Sequence, residues 1–560
     1  MRKKLIFLLT TLLLITITAC HNNEDEPRDV ESVTTEAEPE SDPDIEAEPA
    51  DIEFTDYAEE VGFDMKAPLG EVATTFSLKG SVEKVNELQE DHLWIIIRKS
   101  ESIEEIDSRE MEHYVTLETD GSFDADLNLH HGEGEYRVTV RVPDTEKDNY
   151  YYDAAIFRID NLDDNIARDV ELTKFGIEKD LQFNEPIKGW NEASEFFEIE
   201  GTVGANYNNP TVIAEVRKDG EENQIAIPLE NGSFKGDVPL YFGEGTHEIR
   251  VNLYMDDDDN KYYHSATLFV HNDSNKTFPE ITQYGPYIDR GLTLEYPSWT
   301  IDTELDSIEY PVKGTINPDA PLAHTASHII VEIRHMDDRK DKATYYFPVV
   351  NNRFEGTAHF RFGPGDYKVT IYVPNEEQKK SNEIHFTSAL EINHTVNNIE
   401  DQRDLLPSRG IESDSPEIFE KAKEITKGLK TEREQAKAIY EFVSKNVSYD
   451  VEKFREDIFH PDDSAIETLE AGTGICQDYA FLTIALLRSI DIESRYVSGY
   501  AGGRHAWVEA KVDGDWIEMD PTWGAGYVDG DDFHFKYRED YFDPDPDFLD
   551  KTHTRYDLLY

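Results

Sequence analysis

Residues 472–487 read GTGICQDYAFLTIALL, and this stretch decides the fold of the C-terminal part of the chain. Gly472 and Gly474 predict a loop, and the apolar run from Ala480 to Leu487 has the length of a buried helix. Cys476 therefore falls at the N-terminus of that helix. There the helix dipole and the free amides favour a thiolate, which is the nucleophilic form of cysteine.

Two strand signals follow the cysteine, and they carry a histidine and an aspartate. A glycine turn at Gly502-Gly503 leads into a strand that holds His505, and a turn at Asp513-Gly514 leads into one that ends at Asp520. On adjacent antiparallel strands, the carboxylate can reach the far ring nitrogen of the histidine. A thiol nucleophile needs a base and a group that orients the base, and these residues supply both.

Helices are predicted upstream of the cysteine. Ser415-Pro416-Glu417 combines a capping hydroxyl with proline at the first helical position. The segment from Thr431 to Glu434 forms a capping box, and an apolar stripe at helical spacing follows it. Helices followed by strands predict an α+β domain.

Three motifs taken together resemble the transglutaminase-like superfamily, which has a papain-like core; the resemblance covers roughly residues 415 to 530. The motifs are Gly-Ile-Cys476-Gln-Asp-Tyr-Ala, His505-Ala-Trp-Val-Glu and Trp-Ile-Glu-Met-Asp520-Pro-Thr-Trp. The resemblance implies that Cys476 is the nucleophile, His505 the base and Asp520 the orienting acid. Trp507 and Trp523 match aromatic positions that the family packs beside the site.

Two further residues beside the cysteine, Gln477 and Tyr479, are candidates for lining the cleft or for packing. The implied activity is thiol acyl transfer on an amide bond, either as a peptidase or as a protein-glutamine transglutaminase. The expected substrate is a protein or a cell-wall peptide. The alternative is a non-catalytic surface protein that binds through its repeats and keeps a degenerate transglutaminase-like fold.

The middle of the chain contains three similar segments. Each has a glycine in an upstream strand, a phenylalanine, and a glycine pair nine residues after the phenylalanine. The members are Gly80, Phe123 and Gly132-Glu-Gly134; Gly201, Phe234 and Gly243-Glu-Gly245; and Gly314, Phe354 and Gly363-Pro-Gly365. The strands alternate with period two, and units of about 100 residues built from short strands resemble immunoglobulin-like sandwiches.

The N-terminus predicts export and lipidation. A basic start and an apolar run of signal-peptide length end in Ile17-Thr18-Ala19-Cys20, which resembles a bacterial lipobox with Cys20 as the lipidated residue. Residues 21–60 hold 17 acids and one arginine, so they predict an extended, disordered spacer. We expect the protein to be anchored to the cell membrane by lipid, on its extracytoplasmic face.

These predictions divide the chain into an N-terminal leader, three all-β immunoglobulin-like sandwich modules and an α+β papain-like domain. The predicted segments are the signal peptide 1–20, the acidic tether 21–65, the modules 66–175, 176–290 and 291–400, and the transglutaminase-like domain 401–560.

The composition narrows the functional classes. The 560 residues carry a net charge of −65, which argues against nucleic acid as a partner because like charges repel. Two cysteines exclude a disulfide-built scaffold and cysteine-rich metal sites. The acidic runs 256–259 and 529–532 lack the ligand spacing of a dedicated calcium loop. We therefore expect no metal and no cofactor.

Overall fold

The computed structural model describes residues 48–559, except 105, 107, 185–186, 206, 256–260, 376–384, 458–459 and 461–462. The predicted signal peptide, the lipidation residue Cys20, residues 21–47 of the predicted tether and the acidic run 256–259 lie outside the described residues. Within the described part of the chain, no helix has both the length and the apolar character needed to cross a membrane.

Three two-sheet modules, which we call modules 1, 2 and 3, occupy the described residues up to about 397. Module 1 has strands β1–β9 at Glu53–Phe54, Phe63–Lys66, Glu71–Val72, Thr75–Val82, His92–Lys99, Glu110–Thr116, Ser122–Asn128, Gly134–Pro143 and Tyr151–Asn161, with helix α1 at Asp56–Val61. Module 2 has β10–β18 at Glu171–Leu172, Gln182–Phe183, Trp190–Ala193, Phe196–Thr202, Thr211–Lys218, Glu221–Glu230, Ser233–Pro239, Gly245–Met255 and Lys261–Asn272, with α2 at Lys174–Glu178. Module 3 has β19–β27 at Ile281–Gln283, Leu292–Tyr296, Glu304–Leu305, Glu309–Ile316, His328–His335, Lys342–Pro348, Arg353–His359, Gly365–Pro374 and Phe386–Val396, with α3 at Gly285–Asp289.

The three modules share one strand arrangement. In module 1 one sheet has the order β1-β9-β8-β5-β6, with β3 also on β9, and the other has the order β2-β4-β7. Module 3 repeats both orders with β19-β27-β26-β23-β24 and β20-β22-β25. In module 2 the same two sheets are joined where β15 pairs with β16. Each module encloses its own cluster of buried apolar side chains between its sheets.

The repeated glycine and phenylalanine of each module lie opposite each other on paired strands. The pairs are Gly80 with Phe123, Gly201 with Phe234, and Gly314 with Phe354. A Cβ atom on any of these glycines would lie 2.5 Å from the Cζ atom of its phenylalanine and 2.2–2.3 Å from a carbonyl oxygen of the neighbouring strand. The missing side chain therefore gives the aromatic ring its place in the core, which explains why the two residues recur together.

The repeated glycine pair forms the turn that enters the next long strand. Gly132, Gly243 and Gly363 have φ values of 69°, 70° and 83°, which lie in the left-handed region that favours glycine. In modules 1 and 3 a buried tyrosine two residues after the second glycine reaches back to this turn. The hydroxyl of Tyr136 donates to the carbonyl of Gly132 (3.0 Å), and that of Tyr367 donates to Gly363 (2.6 Å).

Three predicted boundaries are wrong. The tether prediction 21–65 extends too far, because Ala58, Val61 and Phe63 are buried in the core of module 1. Module 2 begins before 176, since β10 pairs with β18, and module 3 begins before 291, since β19 pairs with β27. The last two errors fall on the short edge strands β10 and β19, because a two- or three-residue strand leaves little periodicity in the sequence.

The C-terminal region combines helices with a small antiparallel sheet. Its helices α4–α10 are Pro416–Ile425, Glu432–Asn446, Val451–Glu456, Ala465–Ala471, Cys476–Arg488, Pro521–Ala525 and Pro546–Leu549, and its strands β28–β35 are Ser448–Tyr449, Thr473–Gly474, Ser494–Tyr500, Arg504–Val512, Asp515–Met519, Gly526–Asp529, Asp532–Phe535 and Thr554–Leu559. The main sheet has the order β32-β31-β30-β35 and packs against the buried helix α8. The predicted cap at Ser415 and the capping box from Thr431 to Glu434 are both confirmed.

The segment between module 3 and the C-terminal region is held by two buried arginines, one from each side. Arg361 of module 3 donates to the carbonyls of Arg403 (3.0 Å), Leu406 (2.7 Å) and Pro407 (3.0 Å). Arg488, the last residue of α8, donates to the same Leu406 carbonyl (2.7 Å). Buried backbone carbonyls must be paired, so these guanidinium groups fix the course of the chain between the two domains.

The glycine–phenylalanine pair gives a stability prediction. Replacing Gly314 with alanine should push Phe354 out of its place and lower the free energy of unfolding of module 3 by about 1–3 kcal/mol, the usual cost of overpacking a core. Calorimetric melting of the protein measures the effect. The control is Gly503→Ala, where a Cβ atom has nothing within 4 Å. Equal melting of the two variants would contradict the packing argument.

Candidate active site

Cys476 is the first residue of α8, as the sequence predicted. The start of the helix is fixed by Asp478, whose carboxylate accepts a hydrogen bond from the backbone N–H of Ile475 (2.8 Å). The same carboxylate forms an ion pair with the ammonium group of Lys453 (2.9 Å). Lys453 also pairs with Asp463 (2.7 Å), and both carboxylates are buried. Cys476 itself is 9% exposed, so only a small part of the residue reaches solvent.

His505 and Asp520 form the contact expected of them. His505 is the second residue of β31, and Asp520 directly follows the paired strand β32. The ring Nε2–H of His505 donates to Oδ2 of Asp520 over 2.8 Å. This leaves Nδ1 as the ring nitrogen available to the thiol, and Cys476 is near enough to help raise the pKa of the ring. The structure thus brings Cys476, His505 and Asp520 together in that order.

Asp520 also begins helix α9. Its Oδ1 accepts the backbone N–H groups of Thr522 (2.9 Å) and Trp523 (3.0 Å), and Pro521 occupies the first helical position. The carboxylate is completely buried. One oxygen therefore fixes the aspartate to the helix end, while the other faces the histidine.

A second histidine, which the sequence analysis did not select, contacts the same carboxylate. The Nε2–H of His553 donates to Oδ2 of Asp520 over 3.0 Å, so two imidazoles share one oxygen. His553 is 5% exposed and directly precedes β35. It lies 33 residues after Asp520, and no local motif relates the two positions.

The electrostatics of the pair follow from its burial and its opposite charges. Burial alone lowers the pKa of His505, but the Asp520 charge and hydrogen bond, together with Cys476, outweigh it and raise the pKa of His505 to about 10. Burial alone raises the pKa of Asp520, but the charges and hydrogen bonds of His505 and His553 hold the pKa of this carboxyl well below its usual range. The imidazole is therefore protonated and the carboxylate ionised at neutral pH.

The predicted tryptophans surround the two histidines. Trp507 lies with its ring centre 6.1 Å from that of His505 and 5.2 Å from that of His553, and its Nε1–H donates to Glu518 (3.1 Å). Trp523 lies 6.0 Å and 4.8 Å from the same two rings. These aromatic rings exclude water from the shared carboxylate and strengthen its interactions.

Of the other two candidates for the cleft or for packing, Tyr479 packs and Gln477 approaches a neighbouring carboxylate. Tyr479 is fully buried, and its hydroxyl donates to the carbonyl of Val447 (2.6 Å), so it packs in the core. The amide of Gln477 is directed at Asp463, with 3.4 Å between Nε2 and Oδ2.

Two tyrosines near the thiol were not selected from the sequence. Burial first, and the charge of Cys476 second, raise the pKa of Tyr449 and the pKa of Tyr496. Tyr449 comes from the short strand β28, and Tyr496 lies on β30 against the ring of Phe481 (5.5 Å). Both approach the cysteine from other elements, a placement that sequence spacing does not predict.

Within the described part of the chain, His505, Asp520 and His553 form a group that could hold a metal ion. Their ligand atoms lie within 4.8 Å of one another, and two histidines with a carboxylate are a known zinc ligand set. The same three atoms already satisfy each other through the 2.8 Å and 3.0 Å hydrogen bonds. A hydrogen-bonded cluster therefore accounts for their positions without a cation.

The comparisons agree with the motifs. A family model described as the transglutaminase-like superfamily matches residues 420–521, which confirms the family predicted for this region. An uncharacterized protein of Mycobacterium leprae is 40% identical over 72 residues, covering 10% of this chain and 25% of that protein. Mouse kyphoscoliosis peptidase is 30% identical over 138 residues, covering 21% of this chain and 20% of the relative. The chain thus spans a quarter or less of the length of these curated relatives.

Among solved structures, a candidate cysteine protease from Cytophaga hutchinsonii aligns at 19% identity with a TM-score of 0.21. The alignment covers 38% of this chain and 75% of that chain.

The ion pair predicts how stability depends on pH. A pKa of His505 raised from 6.5 to about 10 contributes stability that is complete below pH 6.5 and is lost as the pH rises toward 10. The melting temperature of the wild-type protein should therefore fall more steeply between pH 7 and pH 10 than that of His505→Gln. Thermal melts followed by circular dichroism at several pH values test this, and parallel curves would contradict it.

Proposed function

We propose that the C-terminal region, a transglutaminase-like domain, is a cysteine-dependent enzyme that performs acyl transfer on amide bonds. The observation that carries the proposal is the sequence of contacts from the helix-terminal Cys476 through His505 to the fully buried Asp520. Each group has the role its chemistry allows: a thiol that attacks, an imidazole that moves protons and a carboxylate that holds the imidazole.

The proposed reaction uses these three groups in order. The Cys476 thiolate attacks the carbonyl carbon of the amide and forms the C–S bond. The first backbone N–H groups of α8 have no partner within the helix, so that of Cys476 can donate to the oxyanion. The imidazolium of His505 gives its Nδ1 proton to the leaving amine as the C–N bond breaks. Water or a second amine then gives a proton to His505, attacks the thioester and releases the thiolate.

The same contacts support a peptidase and a protein-glutamine transglutaminase, which differ in whether water or an amine resolves the thioester. A non-catalytic binding protein is the second candidate. The low exposure of Cys476, 9%, favours this second candidate, because an enzyme would need a substrate amide to reach the sulfur.

The remainder of the chain is proposed as an anchored spacer. The strand order of the modules and the tyrosine that bonds back to its turn in modules 1 and 3 support an immunoglobulin-like sandwich class, since such tyrosine corners are typical of it. The lipobox-like sequence at Cys20 supports a lipoprotein on the extracytoplasmic face of the cell membrane, with protein or wall peptide as substrate.

Labelling with an electrophilic amide probe tests the enzyme proposal. We expect covalent modification at Cys476 in the wild type, none in Cys476→Ala, and a rate lowered about 10²–10⁴-fold in His505→Gln, which loses the proton-transfer group. Intact-protein mass spectrometry measures the labelled fraction, and circular dichroism verifies folding. An unlabelled, folded wild type would leave the binding protein as the better candidate.

The two enzyme classes are separated by products. The protein is incubated with cell-wall peptide, and separately with casein plus a fluorescent amine. A peptidase releases new N-termini from the peptide, and a transglutaminase attaches the amine to casein. Cys476→Ala is the control, because a product that persists in this variant comes from another source.

A further inference from the structure

We propose that His553 is a positioning residue of the site, which holds Asp520 in place by donating a second hydrogen bond to the oxygen that binds His505. The inference rests on the proposed function of Cys476 and extends the site by one residue. Its basis is geometric: both imidazole Nε2 atoms lie within 3.0 Å of the same carboxylate oxygen, Oδ2.

The direction of the second hydrogen bond is fixed by chemistry. An ionised carboxylate only accepts, so the Nε2 atom of His553 must carry the proton. The other ring nitrogen, Nδ1, lies 2.9 Å from the hydroxyl of Thr552, which can either donate to it or accept from it. The ring therefore presents its Nε2–H donor to Asp520 whichever direction the hydrogen bond with Thr552 takes.

The surroundings of His553 prevent its ring from turning away. The rings of Trp507 and Trp523 pack edge to face against it, with ring centres 5.2 Å and 4.8 Å away and interplanar angles of 83° and 61°. The titratable groups that face it are His505, Asp520 and Tyr541, whose ring lies 6.5 Å away. The side chain is 2% exposed, so water cannot replace the hydrogen bond that it gives to the carboxylate.

The strand that follows His553 can approach the sheet closely because of a glycine. Strand β35 pairs with β30, and a Cβ atom on Gly499 would lie 2.3 Å from the carbonyl oxygen of Thr554 and 2.5 Å from the ring of Trp507. Gly499 thus permits both the close approach of the tail and the packing of the tryptophan. The pairing of β35 with β30 therefore places His553 within hydrogen-bond distance of Asp520.

Two donors on one oxygen have a defined effect on the site. The two imidazole donors bind Oδ2, and the backbone N–H groups of Thr522 and Trp523 bind Oδ1. Rotation of the carboxylate would break these hydrogen bonds, so its orientation is fixed. The two donors on Oδ2 also spread the negative charge of the carboxylate over two imidazoles. Without His553, the Asp520 carboxylate would be held less firmly in its orientation. Its full negative charge would then act on His505 and bind the imidazole proton more tightly.

The test compares two substitutions of His553. Gln can place an amide N–H near the position of Nε2, whereas Phe fills the site and donates nothing. We expect labelling of Cys476 to slow about 10–100-fold in His553→Phe, the range typical of residues that orient a catalytic group, and to stay within about threefold of wild type in His553→Gln. The control is His394→Gln, which changes another buried histidine in module 3.

A second measurement does not depend on activity. Nitrogen-15 NMR titration of His505 should show a higher midpoint in His553→Phe than in the wild type and an unchanged one in His553→Gln. If the wild type is not labelled, the enzyme proposal fails while this titration still tests the role of His553. The positioning role would be overturned if His553→Phe matched the wild type in both the labelling rate and the titration midpoint of His505. It would also be overturned if His553→Phe and His553→Gln lost the same labelling rate. If His553→Phe does not fold, His553→Asn, whose amide is too short to reach Asp520, replaces it.

Discussion

The structure of the site depends on one buried carboxylate. Asp520 has no exposed surface, yet it is ionised, and taking a charge out of water is costly unless every acceptor site is used. Its four hydrogen bonds come from three different elements: one from β31, one from the residue before β35, and two from the first backbone N–H groups of α9. The requirement to satisfy this group brings sheet, helix and tail to one point.

Local chemistry predicted the parts of the site that lie close together in sequence. A glycine loop before an apolar run placed Cys476 at a helix start, and two turns set His505 and Asp520 on neighbouring strands. His553 and Tyr449 were not predicted because each is placed by pairing with a strand distant in sequence, β35 with β30 and β28 with β29. The spacing of residues in the sequence does not predict which distant strands pair, whereas cap and turn residues predict the conformation of their own backbone.

The same division holds for the modules. Their repeat was visible as glycines and phenylalanines at matching intervals, and the structure gives the reason: each strand glycine makes room for the phenylalanine on its partner strand. The module boundaries were placed too late because β10 and β19 are only two and three residues long. Such strands are fixed by the sheet that they join, so their own residues need no alternating pattern.

The paired arginines at the domain junction have a thermodynamic consequence. Arg361 and Arg488 belong to different domains but donate to the same carbonyl of Leu406, so unfolding of either domain removes one of the two donors from this carbonyl. Module 3 and the helix that begins at Cys476 therefore share part of their free energy of folding. The two domains are therefore coupled in stability through the chain segment that joins them.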